Sequence, residues 1–572
     1  MALFDATSYL GRWPGELPGY TTVQDLLAQM DRLGIERALI CHALALLSAT
    51  EIGNAKLCAE IAGEPRLEPC WVAVPGPAMD ALGGVEAFCR QLDAHQVRAV
   101  RLFPRTHVYP LVDWMAGDLL AALEERRCLV QIDLDQVFSQ LGLYEYDPEG
   151  FKRVAWICET YPRLSLLLTR LGYRPYQVLL PLLKKFPNLY LDLSFFATHM
   201  GVEDVVRQVG AGRLLFGTSQ PRVDPAGAVA CLAYADLTAE QRRLIASGNL
   251  EQLLEAGAYR EKGAPRDAAI RAEVVATGRQ ALEISDLSEP QPDHSPAGLA
   301  LAGRSLALAR LDVLDAHAHL GPYFKFHIPN PDAAHMVQMM DRCGVSRTCL
   351  SSHMAVSADW KTGNRVTKEA VDAFPERLIG FVVVDPNAPG EILEELETAF
   401  DRWGFRGIKL VPDTHLHPIG GAGYRPVWDF AAERNCPVIV HTYHGSKFDD
   451  PTAFGPLAER HPEVNIMLVH SGALTAAFEN AIALARRYPN LYLDISGSFI
   501  TGPWIARMVR ETGADRVIFS SDIPFIDLRY TLGKVVFALQ DPGELALVLG
   551  GNFRRLLHID NPSSSQPTGL NL

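Results

Sequence analysis

The amino-acid sequence predicts an α/β chain built from two tandem (β/α)8 TIM-type barrels. Three observations carry that prediction. The chain has 572 residues, too many for a single hydrophobic core, so two or more domains are expected. One unit is written twice along the chain. Within each copy, short apolar runs alternate with helix-like stretches at the spacing of a barrel of about 250 residues.

The duplication is read directly from paired segments in the same order. FDATSYLG (from Phe4) matches LDAHAHLG (from Leu314), and KKFPNLYLDLS (from Lys184) matches RRYPNLYLDIS (from Arg486). RLLFGTSQP (from Arg213) matches RVIFSSDIP (from Arg516), and SGNLEQLL (from Ser247) matches GGNFRRLL (from Gly550). Asp5 thereby pairs with Asp315, Arg101 with Lys409, Cys128 with Cys436 and Asn249 with Asn552.

In the second copy the strand-like runs are Val313–Ala316, Thr348–Ser351, Ile379–Val384, Gly407–Val411, Val438–His441, Asn465–Val469, Leu491–Asp494 and Val517–Ser521. Helix-like stretches, among them Pro331–Cys343, Glu391–Arg402 and Ala476–Tyr488, lie between them. The first copy repeats the pattern from Leu3–Ala6 to Arg213–Gly217. These boundaries give a first barrel over 1–284, a linker over 285–309, a second barrel over 310–560 and a flexible tail over 561–572. The linker reading rests on DLSEPQPDHSPAG (from Asp286), rich in Pro, Ser and acidic residues.

Composition narrows the function. A formal net charge of −14 argues against nucleic-acid or anionic-membrane partners but says little about substrate, since a bound metal can reverse the local sign in a pocket; a small-molecule substrate is expected. The N-terminus shows no basic region followed by an apolar one, and no run of about 18 apolar residues exists. The ten cysteines form no C-x-x-C pair and no dense framework, which reads as reduced thiols and a cytoplasmic location.

Candidate chemistry gathers at strand ends. His317 and His319 are two apart on the first strand of the second copy, so both side chains face one way. His441 ends the fifth strand-like run, His470 follows the sixth and Asp522 follows the eighth. The C-terminal rim is where such barrels assemble their sites. A lone H-x-H also satisfies ordinary hydrogen bonds, and it is the coincidence at the rim that points to a divalent metal, Zn or Mn, with one coordination position left open.

With these positions, DAHAHLG, IVHT, LVHSG, FSSDIPF and the terminal GGN, the second copy resembles the amidohydrolase superfamily, in its amidohydrolase-related (amidohydrolase-2) branch. GN at Gly363–Asn364 and GIKL at Gly407 belong to the same resemblance. It implies that His317, His319, His441 and Asp522 hold a single metal, usually zinc, and that His470 orients or activates the attacking water, with Asp522 and His470 carrying protons. The leading expectation is a hydrolase that attacks a C–N, lactone or ester carbonyl with metal-bound hydroxide. The alternative is a metal-dependent, non-oxidative decarboxylase of an aromatic or unsaturated carboxylic acid. A third reading is a non-catalytic binding or scaffold protein. Lys409 is expected to be structural or to meet a substrate anion, ahead of carboxylation in a two-metal site. His353 and His444 are substrate candidates, as are His415 and His417, each against a plainer role in loop hydrogen bonding; Tyr323, Phe324 and Trp360 are candidates for shaping the pocket.

The first copy reads as a pseudoenzyme. It has Thr7, Tyr9, Asp133, Arg170 and Ser219 where the second has His317, His319, His441, His470 and Asp522. No metal set remains, and Asp133 and Arg170 are expected to form an ion pair. The leading role for this barrel is a structural partner that completes an internal pseudo-dimer, with further oligomerisation open. The competing role is ligand binding, or lending a side chain such as Arg174.

Overall fold

The computed structural model describes residues 2–13, 20–134, 148–257, 311–357 and 359–559. The chain divides into two compact units, Met1–Gly303 and Arg304–Leu572. The expected linker, the end of the expected first barrel over 258–284 and the expected tail lie outside the described residues.

The first unit carries β1 (Leu3–Leu10), β2 (Ile35–His42), β3 (Leu67–Val72), β4 (Ala99–Leu102), β5 (Leu129–Asp133), β6 (Ser165–Thr169), β7 (Leu189–Asp192) and β8 (Leu214–Leu215). The second carries β9 (Val313–Leu320), β10 (Val345–Ser352), β11 (Leu378–Val383), β12 (Gly407–Leu410), β13 (Val438–His441), β14 (Ile466–Val469), β15 (Leu491–Asp494) and β16 (Val517–Ile518). Strands pair in sequence order in both units, and every pairing is parallel. Backbone bonds from the first strand to the chain beyond the eighth bring the two ends of each sheet together. They are Ala6 N–H to Phe216 O (3.0 Å) and Tyr9 N–H to Gln220 O (3.0 Å), then Ala316 N–H to Phe519 O (3.1 Å) and His319 N–H to Ile523 O (2.7 Å). The two units are (β/α)8 barrels.

Sequence explains the alternation. The strands are covered on both faces, which suits their apolar runs. The intervening helices carry local start and stop signals. Asp332 accepts from the N–H groups of Ala334 and His335 to open the helix Ala333–Cys343, and Gly344 closes it at φ 69°. Thr22 and Asp25 form a capping box on the corresponding first-barrel helix, Val23–Leu33. The expected helix Glu391–Arg402 is instead a helix over Pro389–Glu397 followed by a π-helical turn over Thr398–Arg402. Inside the second barrel, Leu314, Cys349, Phe381, Ile439, Met467 and Ile518 form one core cluster with Phe553 and Leu557. Phe4, Leu39, Cys70, Leu129, Leu167 and Leu215 form its first-barrel equivalent.

Residues shared by the two copies do the same structural work. Asn249 donates to Ala211 O and Leu214 O at 2.9 and 2.8 Å; Asn552 donates to Ala514 O and Val517 O at 2.7 and 2.8 Å. Asp5 accepts from Thr7 N–H and Thr218 N–H, both at 2.9 Å, tying the first strand to the end of the eighth. Asp315 does the same with His317 N–H (3.2 Å) and Ser521 N–H (2.8 Å). All ten cysteines are free thiols, and among the described residues no helix is long and apolar enough to cross a membrane.

Candidate active site

The C-terminal rim of the second barrel gathers the predicted residues. His317 and His319, alternate residues of β9, bring their Nε2 atoms to 3.0 Å from each other. Asp522, just beyond β16, sets Oδ1 at 3.8 Å from His317 Nε2 and 3.6 Å from His319 Nε2. A backbone bond from Asp522 N–H to His317 O (2.9 Å) fixes the two strand ends together. Asp522 holds φ at 63° and His470 also at 63°, in the left-handed region, which turns each side chain back over the barrel mouth.

Three donor atoms so placed fit a divalent cation. Ligands about 2.0–2.2 Å from a tetrahedral centre stand roughly 3.3–3.6 Å apart. Asp522 Oδ1 is buried and has no hydrogen-bond partner among the described residues, as an oxygen reserved for a cation would be. His319 is set for ligation, because its Nδ1–H donates to Ser351 O at 3.2 Å and leaves the Nε2 lone pair facing the other ligands. Burial, with Lys409 and neighbouring imidazoles adding to it, holds His317 well below its ordinary pKa, so it is neutral as a ligand must be.

His441, the expected fourth ligand, is adjacent but outside this three-atom set. Its Nδ1 lies 3.2 Å from both Asp413 and Asp449. Burial opposes its charged form, but the two carboxylates outweigh burial and lift the imidazole to about 10. Its ring centre stands 5.2 Å from that of His470. The arrangement is a carboxylate–histidine pair that orients the ring from behind. Neither Asp413 nor Asp449 was singled out in the sequence; each sits in a loop that follows a strand.

His470 is fixed from two sides. Its N–H donates to Asp494 Oδ1 (3.1 Å) and its Nδ1 meets Ser496 Oγ (2.9 Å), leaving Nε2 at 3.9 Å from Asp522 Oδ2. Lys409 is fully buried on β12, and its ammonium donates to His317 Nε2 at 2.8 Å. Burial pulls Lys409 down to about 8, and burial also lifts Asp522 to about 8 against the pull of Lys409.

Beside these residues stands an aromatic wall. His353 stacks on Phe525 at 4.2 Å and on His319 at 5.1 Å, and Tyr323 meets Phe525 at 4.7 Å. His353 Nδ1–H donates to Gly321 O at 2.5 Å, while Nε2 is buried with no partner among the described residues. Phe525 follows Asp522 by three residues and was missed, although it lies within FSSDIPF. The other candidates fall elsewhere. Phe324 is 77% exposed. Trp360 starts the helix Trp360–Ala373 and packs on Ala355, Val356, Val383 and Val411, a small core instead of a pocket wall. His444 stands 3.9 Å from Asp450, and His417 packs on Tyr424 and accepts from Gly423 N–H. His415 lies in the same loop, and burial holds it below its ordinary pKa.

In the first barrel the expected ion pair is present. Arg170 donates to Asp133 through Nε (2.8 Å) and Nη2 (3.0 Å). Arg101, at the Lys409 position, donates to Asp133 Oδ2 at 3.1 Å, and Arg222 Nη1 lies 3.5 Å from the same oxygen. Burial opposes the Asp133 carboxylate, but Arg170, Arg222 and Arg101 hold its pKa far below the ordinary range. Arg174 lies beyond β6 with its guanidinium 6.0 Å from the Tyr173 ring.

Both barrels match the amidohydrolase family, over residues 4–255 and 314–559, and the chain belongs to that family. Among curated relatives it is similar to the gamma-resorcylate decarboxylases of Rhizobium sp. (strain MTP-10005) and Rhizobium radiobacter. Each is 26% identical over 249 residues, covering 33% of this chain and 76% of the relative. Solved structures similar in fold include 2,6-dihydroxybenzoate decarboxylase from Rhizobium, at 19% identity and a TM-score of 0.36, covering 43% of this chain and 99% of the other. Another is 5-carboxyvanillate decarboxylase from Sphingomonas paucimobilis, at 16% identity and a TM-score of 0.35, covering 44% and 100%.

Proposed function

We propose that the second barrel is a divalent-metal-dependent, non-oxidative decarboxylase of an aromatic carboxylic acid. The observation that carries this reading is the wall of His353, Phe525 and Tyr323 standing directly on the ligand His319. A flat ring stacks well on such a surface, with its carboxylate toward the cation. The two sequence relatives named as decarboxylases support the same choice over hydrolysis, the reading favoured by sequence motifs alone.

His317, His319 and Asp522 would hold the metal, with His441 turned toward it by Asp413 and Asp449. Zinc and manganese both suit imidazole and carboxylate donors, and either, when bound, supplies a fixed positive charge that anchors and polarises substrate oxygens. Lys409 adds a buried cationic donor beside it. His353 Nε2, an acceptor in the wall with no partner among the described residues, receives a ring hydroxyl. The reaction replaces a C–C bond with a C–H bond: one proton is added to the ring carbon, the carboxyl carbon leaves as carbon dioxide, and no water is consumed. Asp522 and His470, with 3.9 Å between Oδ2 and Nε2, are the pair that holds and delivers that proton.

The test is turnover of 2,6-dihydroxybenzoate and related hydroxybenzoates by protein loaded with Mn²⁺ or Zn²⁺, run in D2O. The reading expects carbon dioxide and an arene carrying one deuteron at the former carboxyl position. A product heavier by one water would return the site to hydrolysis. Metal binding without turnover of any carboxylate, amide or lactone would favour the scaffold reading.

A further inference from the structure

We infer that Ser496 is a positioning residue that fixes the tautomer of His470, with the hydrogen on Nδ1 and Nε2 left open toward Asp522. Ser496 is fully buried in the loop after β15. Its Oγ touches two groups, Asp494 Oδ1 and His470 Nδ1, the latter at 2.9 Å. A hydroxyl has one hydrogen to give. Asp494 Oδ1 also accepts from the N–H groups of Ser496 (2.7 Å) and His470 (3.1 Å), and Oδ2 accepts from Ser520 Oγ (2.5 Å), so this carboxylate is an acceptor on every side. The Ser496 hydrogen therefore goes to Asp494, and Oγ turns a lone pair to His470. Nδ1 must then carry a hydrogen whether the ring is neutral or charged, and in the neutral ring Nε2 is the free atom.

The loop that carries Ser496 is built around this ring. Gly497 holds φ at 105°, and a Cβ on it would stand 3.3 Å from His470 Nδ1 and 3.6 Å from His470 Cβ and Cγ. The bare glycine lets the backbone lie against the imidazole. Lys534, fully buried on the helix Leu528–Ala538, donates to Gly497 O and Ile500 O, both at 2.9 Å. An ammonium that deep is costly to bury, and here it ties the loop down. The first barrel supplies a control. It keeps the aspartate and the serine, as Asp192 and Ser194, but has Arg170 for His470, Phe195 for Gly497 and Cys231 for Lys534. Where no imidazole stands, neither the glycine nor the buried lysine is present. Packing such a barrel requires neither, and both go with the ring they hold. The tautomer follows from these contacts alone. Its use rests on the function proposed above: an open Nε2 lets His470 take up a proton from Asp522 Oδ2, 3.9 Å away, and give it back.

The experiment is nitrogen-15 NMR of the histidine-labelled, Zn²⁺-loaded full chain without substrate, in the wild type, Ser496→Ala and Ser496→Thr. The His470 signals are assigned by their loss in His470→Asn. The wild type and Ser496→Thr are expected to show hydrogen on Nδ1 and a bare Nε2, and Ser496→Ala to lose that preference. With a hydroxybenzoate that turns over, Ser496→Ala should lower kcat by about tenfold with KM little changed, and Ser496→Thr should restore it to within about twofold. Zinc content should be the same in all three. A wild-type His470 with hydrogen on Nε2 would overturn the inference, whether or not the variants fold. So would a Ser496→Ala protein that keeps the wild-type tautomer. A wild type with hydrogen on Nδ1 alone that turns over no carboxylate would uphold the tautomer and overturn only the reaction proposed for the site.

Discussion

Arg170 grips Asp133 through two hydrogen bonds, of 2.8 and 3.0 Å, between the strand ends where the second barrel sets His470 beside His441. One barrel answers the buried carboxylate with guanidiniums and the other surrounds a carboxylate with imidazoles. The backbone under both is alike. Arg170 and His470 share a left-handed φ of 56° and 63°, and each N–H donates at 3.1 Å to the aspartate that ends the next strand, Asp192 or Asp494. The second copy's chemistry is missing from the first in its side chains alone.

Removing Asp133 should therefore cost the first barrel heavily. Asp133→Ala leaves three guanidiniums without their shared carboxylate, and breaking a buried pair from one side typically destabilises by about 3–5 kcal/mol. Urea unfolding followed by tryptophan fluorescence measures it, and a loss under about 1 kcal/mol would show the cluster to be energetically idle. The pH dependence has a definite sign. Because the folded pKa is depressed, the stabilisation is fully present above the unfolded value, about 3.9, and is lost as pH falls through the folded value. Asp133→Asn should flatten that acid-side decline.

Metal content separates the two barrels. The wild type should hold about one equivalent of divalent metal, lost in Asp522→Ala and kept in Asp133→Ala, as read by elemental analysis. Asp413→Asn and Asp449→Asn should each weaken metal binding by about 10–100-fold through the orientation of His441. Unchanged affinity in both would remove His441 from the site.

The rim was legible because a strand's apolar run stops where the barrel opens. His441 and Asp494 are the last residues of β13 and β15, and His470 follows β14 directly, as read from sequence. The first strand was read short, as Val313–Ala316, because apolar patterning ends at the inward-facing histidines, whereas β9 runs on to Leu320 through them. The last was read long, since β16 stops at Ile518 and the chain then turns toward the left-handed Asp522. Asp413, Asp449 and Phe525 could not be read this way. Their approach depends on how loops fold back, and a loop aspartate or phenylalanine carries no periodic signal. Trp360 misled for the converse reason: an aromatic residue in the segment between two strands opened a helix and joined a core.

Metal affinity should rise with pH. Burial lifts Asp522 to about 8, and its carboxyl ligates best once that proton has left. Lys409, at about 8, donates to the same His317 Nε2 that the cation needs. Each proton displaced lowers apparent affinity about tenfold per unit of pH below its pKa. Titrating Zn²⁺ into apo protein from pH 6 to 8, in buffers of different ionisation enthalpy, counts the protons released. An affinity flat across that range would mean that Asp522 is already ionised in the apo protein.

A matched pair of glycines offers the sharpest comparison between the barrels. A Cβ on Gly363 would come 2.1 Å from Ala355 N, and one on Gly53 would come 2.1 Å from Ala45 N. Backbone cannot yield as a side-chain tip does, so Gly53→Ala and Gly363→Ala should each cost at least the roughly 1–3 kcal/mol typical of overpacking. The neighbouring asparagines fix the same contact. Asn54 bonds both backbone groups of Val72, and Asn364 both those of Val383, at 2.8 and 3.0 Å in each case. The functional outcomes should differ. Gly363 presses on the short helix His353–Ser357 that carries His353 of the aromatic wall, so Gly363→Ala should raise KM as His353 shifts. Gly53→Ala, beside a helix with alanine at that position, should lower stability and leave turnover alone. Equal kinetic damage from both changes, measured on the folded fraction, would refute the separate roles assigned to the two barrels.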